Sequence, residues 1–471
     1  MASHVNGNNK ITMVRKIFRY ILYFFLVVIA ALVVFLAISI GPVDRTLPED
    51  HAYYAEMLNS IETQSPKEGH AYRVGYAKEN FTPSKPTSLA GYGNRWGKVY
   101  ESVADSIYIR ALVIDNGISK VAIVSADLLL MPPTVRERLS EILPEIGFSL
   151  DNTFLGATHT HNSIGNWGEG AAGFIYGPYE EEVVYFIAEK IKTCIARAAG
   201  DLVAAKVKHG VLPIDAPVKN RLTKNGPVDS LLRAIEVVRA DSVKLLMMSY
   251  TAHATCLFSK DLILSRDYPG ELVDEMESRG YTFAMFMAGS VGSHGCNPPK
   301  FGEPCIDWIA DEIADDIQAA SSWMKPLHDT ALLLYRVPLH LGNSQAKIGK
   351  GWKIRDWLFS AAVGEYQPYL SALRIGDVVM LGTPCDFSGE FNAHIDTVAH
   401  EHGLSPIVTS FNGGYIGYVT PLKYYDEDHF ETQLMNWYGP GTGEYLVACI
   451  DRMIDAVDGK NDPVKTAIDA H

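Results

Sequence analysis

The run Tyr20–Ile40 constrains this chain more than any other feature: 21 residues without one charged side chain. In hydrocarbon a backbone must satisfy its own N–H and C=O groups, and a single segment does so only as a helix. At ~1.5 Å per residue such a helix spans the ~30 Å core of a bilayer. Lys10, Arg15, Lys16 and Arg19 precede the run, whereas Asp44, Glu49 and Asp50 follow it. The positive flank stays in the cytoplasm, so the rest of the chain is expected on the outer side, periplasmic or extracellular. A cleaved signal sequence is the alternative. Its apolar core usually runs only ~7–15 residues, and Leu36-Ala37-Ile38-Ser39 is a poor cleavage site. The expectation is a cytoplasmic segment 1–19, an anchor over 20–40 and a polar stalk with one short helix over 41–70.

From Val74 to about Asp458 the pattern is globular, with neither repeat nor low-complexity tract. A net charge of −14 without a concentrated basic stretch excludes a nucleic-acid partner. Apolar, β-branched runs recur at 107–114, 121–126, 244–250, 283–287, 378–382 and 407–410, and helical patterns at 179–198, 269–279, 306–322, 388–400 and 441–457. This alternation predicts an α/β fold: one large domain over 71–471 with helices flanking a mixed sheet, mixed because Arg374-Ile375-Gly376-Asp377 reads as a hairpin. Six cysteines are too few and too scattered for a disulfide scaffold. Cys296 and Cys305 flank a short Pro- and Gly-containing loop, and pairing or two free thiols are both open. Oligomeric state is not legible.

Chemistry-bearing side chains gather where apolar runs end. Ala157-Thr158-His159-Thr160-His161-Asn162 follows the strand-like Thr153-Phe154-Leu155. Side chains two apart on a strand project to one side, and imidazole is the commonest zinc ligand; a polar loop is the bland alternative. His253 leaves the run 244–249, where a lone histidine is more often structural. Asp386 closes Leu381-Gly382-Thr383-Pro384-Cys385-Asp386-Phe387 and reads equally as the N-cap of a helix starting near Ser388. Tyr418 follows a further strand and by default belongs to the core. If they converge, these residues make a zinc site.

With their neighbours, these segments resemble the neutral/alkaline, non-lysosomal ceramidases. Ala157-Thr158-His159-Thr160-His161 matches that family's A-T-H-T-H unchanged. Val74 to Pro83 is similar to its opening G-x-A-x-x-D-I-T, Ala90-Gly91-Tyr92-Gly93 to M-G-Y-A, Asn220-Arg221 to N-R-S, Gly417-Tyr418-Val419-Thr420 to G-Y-V-T-T and Tyr438-Gly439-Pro440 to F/Y-G-P. The resemblance runs from about Val74 to about Ala456. It implies Zn2+ held by His159, His253, Tyr418 and a carboxylate. The family's Glu of P-G-E-F falls on Asp386, with Glu390 the alternative. It further implies that His161 and Arg221 hold the substrate amide and its developing charge.

Three departures mark a divergent member. The serine of the family's G-D-V-S-P-N falls on Gly292, between Ser290 and Ser293, and Ser293 is the candidate to replace it. The family's second catalytic tyrosine falls on Phe430. The family's C-terminal immunoglobulin-like domain is not expected here. The implied function is hydrolysis of the amide bond of an N-acyl, ceramide-like lipid by zinc-activated water. His161 would carry the proton, Arg221 would stabilise charge, and backbone N–H groups of Gly289–Gly295 would assist unless that segment is an ordinary tight turn. Alternatives are a soluble amide or ester as substrate, or an inactive membrane-anchored binding protein.

Overall fold

Strands apolar at every position can be buried on both faces, and this chain uses its long apolar runs that way. In Tyr108–Asp115, Leu112 and Ile114 point to one side and Ala111 and Val113 to the other, all buried. The first pair meets Leu373, Ile375, Val378 and Met380 of a second sheet. The second pair packs under the helices Pro133–Ile142 and Glu181–Gly200. The result is four layers, helix on sheet on sheet on helix. The structure is a computed structural model describing residues 5–364 and 366–459. Residues 1–4 of the expected cytoplasmic segment, and Glu365 and 460–471 of the expected domain, lie outside the described residues.

The larger sheet runs, in spatial order, Phe283–Ala288, Lys244–Tyr250, Leu231–Arg239, Val203–Pro213, Tyr72–Asn80, Tyr108–Asp115, Lys120–Ala126 and Thr153–Ala157, with Met324–Pro326 also on Val203–Pro213. Its end pairs are parallel and its inner pairs antiparallel. The second sheet runs Lys67–Glu68, Ala331–Pro338, Tyr369–Ile375, Val378–Gly382 and Ser405–Thr409. Asp267–Ser278 and Glu303–Ala319 cover another part of the larger sheet, and Asn392–Glu401 with Thr442–Val457 cover the second. The fold is mixed α/β, as expected, and the hairpin falls where expected, with Ile375 opposite Val378.

An N-terminal helix, Val5–Ser39, contains Met13–Ser39, which is long and apolar enough to cross a membrane. The segment 41–70, expected as a stalk, packs on the body. Ile40–Pro42 pairs antiparallel with Trp352–Ile354, and the helix Ala52–Ser60 buries Met57, followed by Ile61, against Thr442–Val457. Neither arrangement considered for Cys296 and Cys305 is found. Cys305 is bonded to Cys256 with Cα atoms 5.4 Å apart, and Cys296 is a buried free thiol. The loop leaving Lys244–Tyr250 meets the start of Glu303–Ala319, where Gly302 N–H also donates to Cys256 O at 2.9 Å.

Candidate metal centre

The neighbouring strands Lys120–Ala126 and Thr153–Ala157 end together, and the loops beyond them supply the first two imidazoles. Thr158 and His159 N–H groups donate to Ala126 O and Leu128 O, both at 3.0 Å, and the chain then turns with His159 at φ 63°. Strand alternation therefore does not bring the pair together, because the strand stops at Ala157 and a turn carries both rings. Arg95, wholly buried, holds that turn by donating to His161 O at 2.5 Å and Asn162 Oδ1 at 3.0 Å. Gly91, at φ 123°, passes so close that a Cβ would lie 2.4 Å from His161 O.

His253, wholly buried beyond Lys244–Tyr250, completes a triad. His159 Nε2 lies 2.9 Å from His253 Nε2 and 3.1 Å from His161 Nε2, and His161 and His253 Nε2 atoms are 2.9 Å apart. Behind the triad, His159 Nδ1 is 2.5 Å from Leu129 O and His253 Nδ1 is 3.4 Å from Val291 O. A carbonyl only accepts, so these Nδ1 atoms carry the protons and both Nε2 atoms present lone pairs. Burial pushes the His159 ring down to about 3 and those of His161 and His253 well below their ordinary value, so all three are neutral at pH 7. Two bare lone pairs at 2.9 Å repel unless a cation sits between them. The group His159, His161 and His253 can hold a metal ion.

The carboxylate and the phenol arrive side by side. Asp386–Phe387 and Tyr418–Val419 form a two-stranded parallel ribbon with Asp386 opposite Tyr418. Asp386 Oδ2 accepts from Tyr415 OH at 2.7 Å, while its Oδ1 is buried without a hydrogen-bond partner, 3.5 Å from His159 Nε2. Burial pushes the Asp386 carboxyl up to about 7 against the pull of Tyr415 and Arg221. An orphaned carboxylate oxygen aimed at imidazole lone pairs is the donor set zinc takes. Glu390 turns elsewhere, accepting from Asn220 at 2.7 Å, Tyr424 at 2.8 Å and Lys423 at 2.6 Å. The Tyr418 ring is parallel to that of His253, with centroids 6.4 Å apart. Arg221 lies 5.1 Å from the Tyr418 ring centre, with Nε 3.1 Å from Glu431.

The segment Gly289–Gly295 is a packed turn. Its amides at Gly289, Val291, Gly292 and His294 donate to Tyr250 O, Gly289 O, Phe387 O and Val291 O, so these four are not free to face a substrate. Ser290 donates to Asn392 Oδ1 at 2.9 Å. His294 Nε2 accepts from Asp229 N–H at 2.8 Å, so its Nδ1–H donates to Ser293 Oγ at 2.8 Å, which leaves Ser293 to donate to Ser388 Oγ at 2.7 Å. Neither serine lines the cavity in front of the histidines. That cavity, about 440 Å³, is faced by His161, Arg221, Asp386 and Tyr418 and by the exposed Phe430 at its edge. Arg95, Tyr415 and Glu431 were not foreseen; only Tyr415 had a signal, its place three residues before Tyr418.

Comparison with solved structures identifies this architecture. Neutral ceramidase from Pseudomonas aeruginosa superposes with a TM-score of 0.71 at 17% identity, covering 82% of this chain and 75% of that one. The chain has the neutral ceramidase fold. A ceramidase complexed with C2 aligns similarly, with a TM-score of 0.69, 16% identity and coverage of 83% and 75%. No family model matches the sequence, and no curated protein matches it. At such low identity the ceramidase likeness lives in the layers and strand order, and the chemistry rests on the residues of this chain.

Proposed function

We propose that this protein is a zinc-dependent amidohydrolase that cleaves the amide bond of a ceramide-like N-acyl lipid, anchored by Met13–Ser39 with its domain on the outer side of the membrane. One observation carries the chemistry: the Nε2 lone pairs of His159 and His253 lie 2.9 Å apart, with an unpartnered Asp386 oxygen 3.5 Å from the first. The ceramidase fold of the neighbours supports the substrate class.

Zinc bound there supplies a Lewis acid and lowers the pKa of water towards ~7. His159 and His253 hold it through Nε2, each ring oriented by the carbonyl behind its Nδ1. Asp386 Oδ1 and the Tyr418 oxygen complete the set. His161 differs: its Nδ1 faces Gly91 but makes no bond of ordinary geometry. That ring is the proton carrier to the leaving nitrogen. Arg221, steadied by Glu431, faces the negative charge that develops on the amide oxygen. With Ser290 and Ser293 bonded away from the cavity, water is the nucleophile.

The test is metal analysis of the full chain in detergent, with turnover of N-acyl sphingosine and of a short N-acyl amine. One zinc per chain and faster cleavage of the lipid are expected. A chain that takes up no zinc, or holds it without cleaving either amide, rules the proposal out.

A further inference from the structure

We propose that an apolar groove beside the metal centre takes the hydrocarbon chain of a lipid directly from the bilayer that holds Met13–Ser39. This rests on the anchored-hydrolase reading and adds the route by which substrate arrives.

The groove, about 240 Å³, is lined by Trp167, Ala171, Ala172 and Ile175 and by Ala362 and Val363. Leu130, Tyr176, Tyr415 and Trp437 line both the groove and the cavity of the metal centre, so the two spaces adjoin. Three of its four hydroxyls are spent within the protein, that of Tyr176 being the exception. Thr134 donates to Trp167 O at 2.9 Å, Tyr366 to Tyr415 O, and Tyr415 to Asp386. Those side chains offer methyl and ring surface, and the carboxylates Glu137 and Glu169 stand at the exposed lip. Such a lining suits a hydrocarbon chain whose polar end lies at the metal centre.

The part of the lining that holds Ala362 and Val363 is tied to the anchor. Ala362 and Val363 end the helix Asp356–Val363, and Trp357 in its first turn donates its indole N–H to Ile38 O at 2.7 Å and packs on Phe35. Arg355 N–H donates to Ser39 O at 2.9 Å, and Ile40–Pro42 pairs with Trp352–Ile354. No slack chain separates the end of the membrane helix from the groove. The five residues from Trp357 to Ala362 cover about 8 Å of helix axis. Trp352 and Trp357 are 58% and 48% exposed, as aromatic side chains at a membrane surface are. Phe174, 71% exposed, lies in sequence between the lining residues Ala172 and Ile175. A lipid beside the anchor therefore meets the groove at the membrane surface, where its acyl chain can enter without crossing water.

The experiment uses the full chain in phosphatidylcholine vesicles containing an N-acyl amine with a diazirine at the end of its acyl chain. After irradiation, adducts are mapped by mass spectrometry. The expected result is labelling of 167–176 and 362–363 as well as of Met13–Ser39. Ala172→Trp, which fills the groove, and Val363→Asp, which places a charge at a partly exposed helix end, should each cut groove labelling at least tenfold and leave labelling of Met13–Ser39 unchanged. Labelling confined to Met13–Ser39, or groove labelling indifferent to both variants, overturns the proposal. Cleavage of the probe is scored separately. A labelled groove with an uncleaved probe in the zinc-loaded protein sinks the hydrolase and spares the route, whereas cleavage without groove labelling does the reverse. A chain that does not enter the vesicles overturns the anchor and the route together.

Discussion

Two imidazole lone pairs 2.9 Å apart ask for a cation, and single substitutions test whether His159 and His253 bind it while His161 works beside it. His159→Ala and His253→Ala should each lose zinc, whereas His161→Ala should keep it and lose on the order of 10²–10⁴ in turnover, as expected for removal of a proton carrier. Metal analysis decides: zinc retained in either of the first two removes that residue from the site, and zinc lost from the third makes His161 a ligand. Ser293→Ala should stay within about tenfold of full turnover, or ~1.4 kcal/mol. A loss equal to that of His161→Ala would return a serine to the reaction. Gly292 sets the position of the carboxylate, because a Cβ there would lie 2.2 Å from Asp386 O. Gly292→Ala should displace the Asp386 strand from the histidines and weaken zinc binding at least tenfold in competition with a chelator, with the fold intact by circular dichroism; unchanged affinity removes Gly292 from the argument. The family resemblance, more than the strand ends, made His159, His253, Asp386 and Tyr418 legible as candidate ligands in the sequence. Arg95 and Glu431 were not, because their partners are distant: Arg95 reaches His161 O 66 residues on, and Glu431 meets Arg221 from a remote part of the sequence.

Elements buried on both faces announced themselves as unbroken apolar runs, and Lys244–Tyr250, Phe283–Ala288 and Val378–Gly382 form within a residue of expectation. The charge-bearing strand Val203–Pro213 did not. It holds Lys206 and Lys208, and local pattern cannot show that Lys208 faces Glu236 across the antiparallel pair at 2.8 Å. The same limit hid the disulfide, whose partners are 49 residues apart in sequence and meet through the parallel pairing of Lys244–Tyr250 with Phe283–Ala288. Cys256 follows His253 by three residues, so the bond also restrains the loop that carries this candidate ligand. Replacing Cys256 and Cys305 together by serine should cost about 2–4 kcal/mol in denaturant unfolding of the solubilised chain and raise the Kd for zinc. An unchanged unfolding midpoint would mean that packing alone holds this loop.

At the scale of the molecule, what decides between an anchor and a cleaved leader is how the body treats the backbone just beyond the apolar run. Ser39 and Gly41 are buried, and residues 38 to 42 are part of the fold. Ile38 O and Ser39 O accept from Trp357 and Arg355, Ile40 O accepts from Arg355 Nε at 3.0 Å, and Ile40–Pro42 is a paired strand. Cleavage before Gly41 would remove these three acceptors and one of the three residue pairs of that strand. Each lost hydrogen bond costs about 1 kcal/mol, so together they are a sizeable share of the stability of a domain. A leader destined for removal has no reason to be bonded into the product, and the charge asymmetry across Tyr20–Ile40 already gives the helix an orientation. The mature protein in isolated membranes should therefore retain Tyr20–Ile40, which intact-mass measurement of the extracted chain reads directly. Carbonate washing should leave it in the membrane pellet. A mature N-terminus near Gly41, with the protein in the soluble fraction, would falsify the anchor and leave the apolar groove facing water.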